Sequence, residues 1–113
     1  TPALDAAALA QLFTDARTHN AWRDEPVDAA QLRQLYDLAK WGPTAMNTSP
    51  LRVCFVQSPE ARERLIPLMA EGNRAKTAAA PAVALLGRDL DFHTQMPLLA
   101  PHASAVAERR PRM

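Results

Sequence analysis

The chain has 113 residues and a mass of 12.4 kDa, 48% of them apolar and 22% charged, which suits one globular domain with a core and excludes a disordered chain. A formal net charge of +1 excludes a broad basic footprint for nucleic acid, and no apolar run approaches the roughly 20 residues of a membrane-spanning helix. The single cysteine, Cys54, rules out an internal disulfide, and its place in the run VCFV predicts a small buried thiol. The opening TPALDAAALAQLF is interrupted by Asp5 and has no basic leader, so it does not resemble a secretory signal, and the expected location is the cytoplasm.

Leu9, Leu12, Phe13 and Ala16 recur at helical spacing and predict a first helix over about Leu4 to Thr18. The connection Arg17 to Pro26 follows, and Asp28 with Gln31 three residues later marks a helix start of capping-box type. Leu32, Leu35, Tyr36 and Ala39 carry the apolar face of that second helix, which Gly42-Pro43 stops. After the polar loop WGPTAMNTSP, the β-branched and aromatic run Arg52 to Gln57 predicts a strand. Ser58-Pro59 then caps a short third helix, with Ala61, Leu65, Leu68 and Met69 on one face and Pro67 bending it. The stretch EGNRAKTAAAPA leads into a second apolar strand, Ala82 to Gly87.

Both strand runs lack polar alternation and are separated by helical segments, so the expectation is a sheet covered by helices rather than an exposed antiparallel one. Two strands make an unfinished sheet, which a second copy or a longer chain would complete. Beyond Gly87 no long element is expected, and residues from about 103 to 113, ending in the basic ERRPRM, are expected to form a mobile tail. No repeat or linker divides residues 1 to 113, which read as one domain.

Three stretches place polar and cationic residues at helix ends: Arg17, Thr18, His19 and Asn20 with Arg23; Thr44 to Ser49; and Asn73 with Lys76. Together they supply cations and donors suited to an anionic, ring-bearing ligand. The bland alternatives are that Arg17 answers the negative end of the first helix and that His19 is an ordinary surface histidine. His19, His93 and His102 lack paired ligand spacing, so no metal site is expected, and neither G-x-G-x-x-G nor a Walker-type loop is present.

The order ARTHNAWRDEPV, then WGPTAMNTSPLRVCFV, then EGNRAKTAAAPAVALL resembles the nitroreductase family of FMN-dependent oxidoreductases, most of all its malonic semialdehyde reductase branch from pyrimidine degradation. Members carry an arginine-led motif after the first helix, a P-[ST]-x-x-N-x-x-P loop before the first strand and an N-x-x-K pair before the second. Here these are Arg17, then Pro43, Thr44, Asn47 and Pro50, then Asn73 and Lys76.

The resemblance implies an α+β fold, a three-layer sandwich with a helix-covered central sheet, present here as one partial, truncated domain. It implies that Arg17 holds the FMN phosphate or ribityl chain with Thr18, His19 and Asn20 alongside, and that Asn73 and Lys76 reach the flavin ring. Pro43, Thr44, Ala45 and Asn47 would contact the flavin bound mainly by the partner subunit of a homodimer. No residue is assigned a covalent or acid–base role. The implied reaction passes a hydride from NAD(P)H through flavin to a small aldehyde such as malonic semialdehyde, or to a nitroaromatic or quinone. Metal, membrane and nucleic acid play no part in it. Family members are longer, and the alternative is a truncated, non-catalytic flavin-fold remnant that at most dimerises or binds a partner.

Overall fold

A computed structural model describes residues 1–101 of the chain. The tail expected over residues 103 to 113 lies outside them, as does His102.

The first helix, α1 (Ala6–Leu9), is capped by Asp5, whose carboxylate accepts from the Ala8 amide at 2.8 Å. It widens into a π turn over Ala10–Thr14 and stops short of the expected Thr18. Arg17 lies just past that stop. Its guanidinium turns back to donate to the carbonyls of Thr14 at 3.1 Å and Ala16 at 2.7 Å, meeting acceptors that a longer helix would have used itself. The predicted apolar face is not buried: Leu9 and Leu12 are exposed, and Phe13 is 69% exposed.

Helix α2 (Ala29–Ala39) begins as its sequence requires. Asp28 accepts from the Gln31 amide at 2.7 Å, and the Gln31 side chain accepts from the Asp28 amide at 3.0 Å. Leu32 is buried beneath it while Leu35 and Leu38 stay exposed. The Gly42 amide closes on the Ala39 carbonyl at 3.1 Å, and a β-carbon at Gly42 would stand 3.3 Å from that oxygen, so the turn out of α2 is tight enough to favour glycine.

Strand β1 (Leu51–Val56) pairs with β2 (Val83–Arg88) in an antiparallel, two-stranded sheet, in register from Leu51 opposite Arg88 to Val56 opposite Val83. Both strands fall within a residue of their predicted limits. Their setting differs from the expected two-sided cover. Val53 and Phe55 face Leu32 and Tyr36 of α2 across a gap of about 410 Å³, whereas on the other face Cys54 sits opposite Leu85, and both are exposed. The expectation of a buried thiol is therefore corrected. Apolar character put Cys54 in a strand, but the described elements that bury Val56 on the same face do not reach it.

Between the strands, Ser58 caps α3 (Pro59–Leu65) by accepting from the Ala61 amide at 3.2 Å, and Pro67 turns the chain through a 3₁₀ segment, Ile66–Leu68. Then comes an element that periodicity did not predict, α4 (Glu71–Ala79). Arg62 of α3 locks it in place: Nη1 donates to the Ala78 carbonyl at 3.1 Å, and Nη2 to those of Gln57 at 3.3 Å and Pro81 at 3.5 Å. One guanidinium thus joins the end of β1, the end of α4 and the entry to β2.

After β2, among the described residues, come a 3₁₀ turn, Phe92–Gln95, and the single-turn α5 (Met96–Leu99), in keeping over that part with a stretch without a long element. Met96 is fully buried there with Ala100, and Phe92 packs against them. The α+β class is the one expected. Its buried apolar residues are few, Met96 with Ala100 in one cluster besides Leu32, Val56 and Ala80, and the radius of gyration is 18.1 Å where a compact domain of this length has about 13 Å.

Candidate functional site

The predicted site residues fall into two groups. The first forms where the loop after the π turn meets α4. Lys76, in the last turn of α4, donates from Nζ to Asn20 Oδ1 at 3.4 Å, and its carbonyl accepts from Trp22 Nε1 at 2.9 Å. Thr18, His19, Trp22, Lys76 and Thr77 line an open cleft of about 330 Å³ floored by Ala80, Ala82 and the start of β2. Residues more than fifty positions apart are thereby joined.

The charge balance of this cleft is distinctive. Among the described residues no carboxylate lies within ion-pair reach of Lys76, whose polar partner is the neutral Asn20 amide. Lys76 is half-buried, so less water screens its charge than on an open surface. An ammonium ion, an amide, a hydroxyl and an imidazole together suit an anionic or polyhydroxylated ligand.

Three predicted members are not in this lining, and of these Asn20 is joined to it through Lys76. Arg17 is occupied with the carbonyls of Thr14 and Ala16 and lines a neighbouring hollow with Gln11 and His19, in keeping with the bland reading of a cation at a helix end. Asn73 lies one turn before Lys76 on α4, half-buried, and its carbonyl accepts from the Thr77 hydroxyl at 2.7 Å.

The second group is the loop after α2. Pro43, Thr44 and Asn47 line a wider cleft of about 750 Å³ with Trp41, Lys40 and Arg52, and Ala45 stands outside that lining. The Thr44 hydroxyl accepts from the Ser49 amide at 3.1 Å, and Asn47 Nδ2 donates to the Leu99 carbonyl at 2.8 Å. Met46, Asn47 and Ser49 have φ of 51°, 55° and 46°, a left-handed backbone that costs non-glycine residues energy. The cations here are answered: Arg52 pairs with Asp89 at 2.7 Å, and Lys40 with Asp37 at 3.3 Å. The two clefts share no lining residue, so within one chain the groups stay apart.

Sequence reading missed Trp22 and Arg62 as organising residues. Trp22 had a signal, an aromatic side chain in a polar connection, while nothing local marks Arg62, whose partners lie on three other segments. Among the described residues no cluster of three His, Cys, Asp or Glu is placed to hold a metal, and no helix is long and apolar enough to cross a membrane.

The family model described as nitroreductase matches residues 14–110. The chain belongs to the nitroreductase family. Its similar relatives include a Leptothrix cholodnii protein, 70% identical over 109 residues that make up 96% of this chain and 55% of the relative. A Stenotrophomonas maltophilia K279a protein is 59% identical over 93% of this chain and 54% of its own length. A Streptomyces coelicolor protein is 57% identical with the same coverage. All three carry the provisional name NADH dehydrogenase/NAD(P)H nitroreductase. This nitroreductase-family chain spans about half the length of the curated relatives it matches. Both groups of candidate residues lie within the matched segment.

Proposed function

We propose that the chain forms part of an FMN-dependent oxidoreductase that uses NAD(P)H, with the flavin held at the Lys76 cleft. The single observation that carries this reading is the half-buried Lys76 ammonium, turned to a neutral amide and without an acidic partner among the described residues. Its donor set fits FMN, which has a phosphate, a polyol and a ring that gains negative charge on reduction. Bound there, FMN would supply the hydride-accepting and hydride-donating chemistry, while the protein binds and orients.

In this reading Lys76 favours negative charge on the ring, Asn20 holds the ammonium in place, and Asn73 lies beside them on α4. Thr18 and His19 offer donors to the polyol. Arg17 serves the phosphate by exchanging its carbonyl partners for it, since a guanidinium forks onto phosphate. Pro43, Thr44, Ala45 and Asn47 face the flavin of a second copy in a homodimer, and their separation from the Lys76 cleft within one chain supports a site shared between copies. The names of the relatives support a nitroaromatic acceptor. An aldehyde such as malonic semialdehyde, or a quinone, rests on the motif resemblance.

The test is size-exclusion chromatography of the 113-residue chain with FMN, following flavin absorbance across the protein peak. A dimer carrying about one flavin per subunit is expected. Lys76→Ala should weaken FMN binding by about 1.5 kcal/mol or more, the worth of a hydrogen bond to a charged group. A flavin-free peak overturns the reading. It would favour the second one, a non-catalytic remnant, which the exposed Phe13, Leu38, Leu68 and Leu86 support as apolar surface in want of a partner.

A further inference from the structure

We infer that Trp22 is a positioning residue that sets Lys76 for its ligand, an inference that rests on the flavin reading of the Lys76 cleft. The connection from Asp15 to Asp28 has no regular secondary structure and buries no large side chain, so by itself it has little to hold its shape. Three long-range hydrogen bonds fix it: near its end Gln57 Nε2 donates to the Val27 carbonyl at 2.6 Å, and the two that hold its middle both end on Lys76. Asn20 takes the Lys76 ammonium, and Trp22 Nε1 takes the Lys76 carbonyl.

That carbonyl also accepts from the Ala80 amide at 3.1 Å, closing the last turn of α4. The indole therefore shares an acceptor that defines where the helix ends and where the Lys76 side chain starts. Lys76 is gripped at its backbone by one side of the loop and at its tip by the other. Without the Trp22 bond, Asn20 would be tethered to α4 only through a flexible four-carbon stem. Trp22 is 46% exposed, so this bond rather than core packing is its main contribution.

The test combines two readouts on the 113-residue chain. In the unliganded protein, the Trp22 indole N–H, identified by its disappearance in Trp22→Phe, should exchange with solvent several-fold more slowly than that of Trp41, which is 80% exposed. Equal exchange overturns the inference whatever FMN does. With FMN as the probe, Trp22→Phe keeps an aromatic wall but removes the donor, and should weaken binding about five- to tenfold. In a Lys76→Ala background the same substitution should change FMN binding by less than about twofold, because there is no ammonium left to position. An equal loss in both backgrounds would reduce Trp22 to general scaffolding and leave the flavin reading intact. Unchanged FMN binding in Lys76→Ala alone overturns the flavin reading itself.

Discussion

The two clefts are built on opposite terms. Around Lys76, residues from distant segments meet through Asn20, Trp22 and Arg62, and the cation they present lacks an acidic partner among the described residues. Around Asn47, the contacts are mostly short-range, the cations Arg52 and Lys40 are paired with carboxylates, and the backbone is held in the left-handed region at three non-glycine positions. One region spends its polar groups on assembling a charged recess and the other on holding a bent loop. The difference teaches that motifs alike in composition need not do alike work: one concentrates charge, the other fixes shape.

That comparison can be broken most directly at Arg62. Arg62→Ala removes three carbonyl contacts and should lower stability by about 2 kcal/mol in urea titration, with amide exchange in α4 rising while the Asn47 loop is unaffected. Uniform loosening of both regions would erase the contrast. A middle-sized effect is expected from Asp28→Ala, which undoes the capping box of α2 and should cost about 1 kcal/mol, read by the same titration. Because α2 feeds the Asn47 loop, its exchange rates should change there first. The smallest expected effect is Met46→Gly. Relief of a left-handed non-glycine residue, offset by added freedom in the unfolded chain, should raise stability by about 0.5 kcal/mol. A loss instead would mean that the Met46 side chain holds the loop.

The sequence disclosed those features whose causes are local. Asp28 with Gln31 announces a helix start because the two side chains answer each other's amides within one turn, and Ser58-Pro59 does the same for α3. The limits of β1 were legible because its β-branched and aromatic run is bounded by Pro50 and Ser58. Helix α4 was not, since its nine residues, EGNRAKTAA, carry no apolar stripe; alanine and lysine propensity and the contacts of Arg62 sustain it instead. Nor could the burial of Leu9, Leu12, Phe13 or Cys54 be read correctly. Periodicity tells which side chains share a face, not whether another element arrives to cover it. Of the site, Asn20 and Lys76 were named and do meet, Arg17 is turned to its own helix end, and Trp22 entered only through its hydrogen bond.

Cys54 lies exposed near the middle of β1, opposite Leu85, on the face of the sheet away from Leu32 and Tyr36, and it is the chain's one cysteine. A thiol-directed label therefore marks that face of the sheet and nothing else in the molecule. The rate at which it reacts becomes a gauge of occupancy: fast while the face meets water, slow once any surface settles over it, and readable without a substrate, a cofactor or an assay of turnover.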